Sequence, residues 1–146
     1  MSDVSQLGGG DTPSPPYTVS PIAGGAYPAG TAVKLNSSGQ AVPAKADTFA
    51  DAVTVGVLRN ASFAGAPADV SWGSSVPFTL SQLAAVIDGS PSTGFVPGDT
   101  YYVSPTNAGN LTNAQPTGSE FIMVVGVAES ATSLFLRLGQ PVIASA

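Results

Sequence analysis

The chain alternates short apolar runs with turn-forming residues and contains almost no long helical stretch. Ala32-Val33-Lys34-Leu35 is a brief alternating run closed by Asn36-Ser37-Ser38-Gly39, and Ala41-Val42 can return as its hairpin partner, with Pro43 confining it to an edge. Val53 to Leu58 is the strongest strand pattern of the first half, and Asp69–Trp72 and Val76–Phe78 are shorter candidates. Thr100–Ser104, Phe121–Ala128 and Ser133–Leu138 supply strands in the second half, with Leu134, Leu136 and Leu138 on one face and Phe135 and Arg137 on the other. One segment departs from this pattern. In Thr79 to Ile87, Leu80, Leu83 and Ile87 recur at helical spacing, Thr79 or Ser81 can cap the start, and Gly89 ends it. The spacing predicts one short helix over about 80–87.

The first twenty residues are of a different kind. Gly8-Gly9-Gly10 is a flexible run, and Pro13, Pro15 and Pro16 stiffen the next stretch toward polyproline II. We read residues 1–20 as a flexible N-terminal arm and 21–146 as a single domain. The arm ends in Tyr17-Thr18-Val19, whose aromatic and β-branched residues can pair with a neighbouring subunit by strand addition.

A single offset of the sequence against itself aligns Gly39 with Gly109, Ala44 with Ala114, and Val55-Gly56-Val57 with Val125-Gly126-Val127. Pro28-Ala29-Gly30-Thr31 resembles Pro97-Gly98-Asp99-Thr100 in a slightly looser register. Two related β-units, about 28–58 and 97–128, are therefore expected to close one barrel, the central glycine of each triplet permitting a bulge or a close backbone approach.

Composition agrees with an all-β fold, a small β-barrel or compact β-sandwich. The 146 residues are 43% hydrophobic, enough for one core, and 17 Gly and 13 Pro leave no room for long helices. Only 9% are charged, and 4 basic against 9 acidic residues give a net charge of −5. Lys34, Lys45, Arg59 and Arg137 are dispersed, which argues against direct nucleic-acid binding and against attraction to anionic lipid. Met1 to Gly10 has neither the basic start nor the apolar run of a signal peptide, and no stretch approaches the ~20 apolar residues of a membrane span.

Catalytic chemistry has little to stand on. The chain has no His and no Cys, which removes the commonest general base, the thiol nucleophile, zinc-finger ligation and disulfides. Neither Lys34 nor Lys45 sits in a Ser-x-x-Lys setting. Asp47 and Asp51 are four apart and read as a solvated turn rather than an acid/base pair, and Asp99 reads as a turn residue after Pro97-Gly98. No cofactor, metal or enzyme activity is expected. Trp72, the single tryptophan, reads as a plug for a barrel end or as part of an interface. Tyr101 and Tyr102 point to opposite faces of their strand, one toward the core.

From Val76 to Leu138 the sequence resembles phage structural proteins. The resemblance rests on Thr79–Val86, Phe95–Ser104, Gly109-Asn110-Leu111-Thr112, Pro116-Thr117-Gly118 and Val125-Gly126-Val127-Ala128. Pro28–Val33 and Val55-Gly56-Val57 look like the small β-barrels of bacteriophage capsid decoration proteins, also called cement or head-stabilisation proteins. The resemblance implies a virion protein made in the host cytoplasm that binds the major capsid protein at junctions between capsid subunits and stabilises the shell. It implies self-association, with a homotrimer favoured and a dimer as runner-up, and no catalytic residues. Tyr17, Thr18, Val19 and Trp72 are the expected partner-binding residues. The competing reading is a receptor- or glycan-binding module of a tail or head fibre, for which Trp72, Tyr101 and Tyr102 would cluster on an exposed rim.

Overall fold

Local turn chemistry sets the first hairpin. Asn36 Oδ1 accepts from the Ser38 and Gln40 N–H groups at 2.9 Å each, and Gly39 takes φ of +76°, a conformation glycine adopts without a Cβ penalty. Strand β2 (Ala32–Leu35) thereby turns back onto β3 (Ala41–Pro43), with Pro43 on the outermost strand of its sheet. The computed structural model describes residues 18–144. Tyr17 and the preceding part of the expected arm lie outside the described residues.

Two five-stranded antiparallel sheets account for most of the fold. The first has the order β1 (Thr18–Val19), β5 (Val70–Ser71), β4 (Gly56–Leu58), β2, β3. The second has the order β6 (Ser74–Pro77), β11 (Ser133–Leu136), β10 (Val124–Ser130), β7 (Thr100–Val103), β8 (Leu111–Thr112). A two-stranded ribbon pairs β9 (Phe121–Ile122) with β12 (Val142–Ile143).

The two sheets repeat one another. Val33 pairs with Gly56 as Tyr101 pairs with Gly126, and Val57 faces Ser71 as Val127 faces Phe135. Even isolated bridges match: Ala23 joins Ala41 in parallel, and Ile87 joins Leu111. The Gly30 N–H donates to Leu58 O as the Gly98 N–H donates to Ala128 O, both at 2.8 Å. The repeated units run from Thr18 to Ser71 and from Ser74 to Leu136, wider than the 28–58 and 97–128 segments expected from the sequence.

Three expectations need correction. The units do not close a barrel: in each, the chain reaches the far edge strand through one bridged residue rather than a ladder, so the sheets stay open. Thr18 and Val19 are not outside the domain; they form β1 and pair with Ser71 and Val70 of the same chain, so the domain includes residues before 21. There are also two helices among the described residues, not one. Helix α1 (Phe49–Ala52) takes the segment around Asp51, with Thr48 Oγ1 accepting from the Asp51 N–H at 3.2 Å. This helical turn shortens the expected strand over 53–58 to Gly56–Leu58. Helix α2 (Leu80–Val86) carries a capping box: Thr79 Oγ1 accepts from the Gln82 N–H at 3.1 Å while Gln82 Oε1 accepts from the Thr79 N–H at 2.8 Å. Leu83 and Val86 are its buried residues.

Both faces of the first sheet are covered, which explains why the neighbours Ala32 and Val33, on opposite faces, are both buried. Ala32 and Val57 join Val76, Tyr101, Val103, Leu134 and Leu136 of the second sheet in the main core. Val33, Leu58 and Val70 pack with Ala23, Ala41 and Ala68 in a smaller core on the opposite face. Backbone hydrogen bonds tie the halves: the Ala32 N–H donates to Gly109 O at 2.9 Å and the Ala46 N–H to Ser104 O at 3.0 Å.

Candidate interaction surfaces

Two of the three carboxylates singled out from the sequence are engaged in ion pairs. Asp51 pairs with Lys34, and Asp47 lies 3.6 Å from Lys45. The hydrogen bond from Lys34 holds the Asp51 carboxyl below its ordinary range, the reverse of what a general acid at neutral pH needs. Asp99 accepts from Asn113 Nδ2 at 3.0 Å. Among the described residues no group of three or more His, Cys, Asp or Glu side chains is placed to hold a metal ion, and no helix is long and apolar enough to cross a membrane.

Asp88 is the most heavily bonded carboxylate among the described residues. It accepts from Ser104 Oγ at 2.5 Å, Asn107 Nδ2 at 2.9 Å and Asn110 Nδ2 at 3.0 Å, and Ser104 Oγ accepts in turn from the Thr106 and Asn107 N–H groups. All these partners lie in the β7–β8 hairpin, so it fastens that turn to the residue after Ile87.

Two apolar surfaces stand out against this sparsely charged background. The first follows the outer side of the β9–β12 ribbon. Val142 and Ile143 are more than half exposed, and Ile143 pairs with Phe121. The Phe121 ring meets Phe49 edge-on at 6.1 Å between centroids, and Phe49 is itself 54% exposed. Among the described residues strand β12 pairs on one side only, so its other edge presents backbone donors and acceptors beside these side chains. Neither Phe49 nor the Val142-Ile143 pair was singled out in the sequence; a β-branched pair just after Gly139-Gln140-Pro141 is the available signal.

The second surface is an apolar cleft of about 500 Å³ lined by Pro21, Leu35, Val55, Trp72 and Leu138. Trp72 thus sits at the end of the first sheet, in a cleft that Leu138 from the second half also lines. Of the expected partner-binding residues, Thr18 and Trp72 are brought close together, since Thr18 pairs with Ser71. Tyr101, which the fibre reading puts on an exposed rim with Trp72, is not among the residues lining this cleft. Tyr101 is buried, its ring 4.8 Å from that of Phe95 and its hydroxyl accepting from the Val96 N–H at 2.9 Å. The three-ring exposed rim that would suit a glycan does not assemble.

No protein-family model matches the chain, and no curated protein is significantly similar to it.

Proposed function

We propose that this protein is a virion decoration protein that docks on the outer surface of a phage capsid, at junctions between major capsid subunits, and stabilises the shell. The observation that carries this reading is the open β12 edge flanked by Phe49, Phe121, Val142 and Ile143. An open strand edge bordered by apolar side chains suits strand addition, in which main-chain hydrogen bonds supply affinity and flanking pockets supply specificity. Several large exposed apolar groups on a monomer mark an interaction surface. The low charge, 9% of residues, fits an interface that depends on burial and backbone pairing more than on electrostatic steering. The resemblance of the 76–138 segment to phage structural proteins supports the same reading. Closed symmetry is the usual outcome of self-association, and three copies around a shared capsid axis are the arrangement we favour.

Co-sedimentation of the purified protein with expanded, genome-free phage capsids tests it. The native chain is expected to pellet with expanded shells and raise their resistance to heat. Ile143→Asp, which puts a charge on the ribbon edge, should weaken attachment by about tenfold or more, corresponding to loss of one buried aliphatic side chain. Undiminished binding of that variant removes the ribbon as docking edge. Binding to tails or to host cells, with none to shells, overturns the decoration reading in favour of a fibre module.

A further inference from the structure

The two sheets stack in one direction, and among the described residues this leaves one sheet face uncovered. In the shared register Val57 lies between Ala32 and Ser71, as Val127 lies between Thr100 and Phe135. Likewise Leu58 faces Val70 as Ala128 faces Leu134. The Leu58–Val70 face of the first sheet packs with Ala23 and Ala68 of its own unit in the smaller core. The equivalent Ala128–Leu134 face of the second sheet lies in the main core, where Ala32 and Val57 of the first sheet also lie. The units are therefore related head to tail rather than face to face.

The outer face of the second sheet bears the consequence. Ala32, Val57 and Ser71 are completely buried, whereas their equivalents Thr100 and Val127 are partly buried and Phe135 is 40% exposed. Tyr102 and Val124, a cross-strand pair, continue the same face. Neither core cluster of the described residues includes Phe135, Val127, Tyr102 or Val124. The face carries one charge toward each end. Arg137 is exposed between Leu136, which is buried, and Leu138, which packs on the main core, so it shares the outer face with Phe135. Ser133, two residues before Phe135, donates its hydroxyl to Glu129 Oε1 at 2.9 Å. The two charges are thus ~13 Å apart along the strand with Phe135 between them. Neither is ion-paired among the described residues.

We propose that this outer face packs against the same face of a second copy, in a two-fold dimer that forms in free solution. The occupant follows from the stacking. A second copy cannot extend the head-to-tail order, because the Leu58–Val70 face it would offer is already covered by its own Ala23 and Ala68. What it can offer is its own uncovered face, and a contact between identical faces closes as a dimer. A two-fold axis over Phe135, lying between the sheets and across the strands, reverses strand direction from one copy to the other. It brings the two Phe135 rings together at the centre and sets each Glu129 against Arg137 of the other copy. An axis along the strands would instead set like charges together. The apolar centres then meet at the ~10 Å spacing of packed sheets. One sheet face makes a small interface, so the equilibrium is expected at micromolar concentration. The inference is independent of the capsid reading: none of these residues belongs to the ribbon edge, and the contact is distinct from the three-fold arrangement favoured on the shell.

Sedimentation velocity of the full chain, from low micromolar to near-millimolar concentration, tests this, with circular dichroism checking β structure in every variant. The native chain is expected to pass from monomer to dimer. Phe135→Ser should weaken the dimer by about tenfold or more, through the loss of a ring at its centre. Arg137→Glu and Glu129→Arg each bring like charges together and should weaken it by about the same factor. The double variant Glu129→Arg/Arg137→Glu restores opposite signs across the axis and should recover affinity to within about threefold of the native chain. These charge variants touch no core residue, so they keep the test decisive if Phe135→Ser folds poorly. Ile143→Asp, on the ribbon, should leave the dimer unchanged. A chain that stays monomeric throughout overturns the proposal, as does a dimer indifferent to Phe135→Ser. So does a double variant no tighter than the single ones, or loss of the dimer in Ile143→Asp, which would place the contact on the ribbon.

Discussion

Gly56 and Gly126 occupy the same place in the two sheets, each pressed against the strand beside it. A Cβ at Gly56 would lie 2.4 Å from Ser71 O, and one at Gly126 would lie 2.3 Å from Phe135 O. Neither glycine has a positive φ, so what excludes a side chain is the neighbouring backbone. Gly126→Ala and Gly56→Ala should each destabilise the fold by about 2–3 kcal/mol, the range of overpacking in a core that cannot yield. Urea midpoints measured at unchanged m-value check this; a loss below about 0.5 kcal/mol would show that the strands part easily.

Tyr101 joins two segments through one hydroxyl. Its partner, the Val96 N–H, loses its acceptor in Tyr101→Phe, which should cost about 1–2 kcal/mol for an unsatisfied donor. Burial raises the phenol above its ordinary range, with the charge of Asp99 adding and the Val96 hydrogen bond opposing. A raised folded-state value contributes stability below the ordinary phenol range, and this is lost as pH rises through it. Urea midpoints should therefore fall on the alkaline side, and the fall should be shallower in Tyr101→Phe.

The Lys34–Asp51 pair gives a slope of the opposite sense. Asp51 is held below the ordinary carboxylate range, so its contribution is present above that range and fades as pH falls through the lowered value. Both side chains are partly exposed, and solvent screening limits the coupling to about 0.2–1 kcal/mol. A double-mutant cycle of Lys34→Met and Asp51→Asn at neutral pH, repeated in strong acid, should show this coupling in the first condition and none in the second.

Asp88 holds the β7–β8 turn through three side-chain donors. Asp88→Ala should cost about 2–3 kcal/mol, because hydrogen bonds to a carboxylate are worth more than neutral ones and the buried Ser104 loses its acceptor. Hydrogen exchange should quicken selectively over residues 104–112. Uniform quickening across both sheets would instead place Asp88 in the global unfolding unit.

Much of the fold was legible in the chain because it depends on local chemistry. The Asn36–Gly39 turn, the helix beginning after Thr79 and the outward position of Phe135 beside buried Leu134 and Leu136 all arise from short-range pattern. The internal repeat was visible at its least replaceable points, Gly39 with Gly109 and Gly56 with Gly126, where turn geometry or neighbouring backbone demands glycine. Helix α1 was missed because four residues give no periodicity to detect, and only the Thr48 cap announces it.

The sequence by itself determined an all-β fold, the repeat, and the lack of His and Cys chemistry, since these rest on composition and on turn, cap and glycine requirements that act within a few residues. Tertiary structure decided where the units end, that their sheets stay open, and that Thr18-Val19 pairs with β5. It also decided which equivalent side chains are buried. Val103 and Leu35 are similar in kind, yet one lies in the core and the other lines a cleft. That difference comes from what packs over each sheet end, a relationship between residues far apart along the chain that no local pattern encodes.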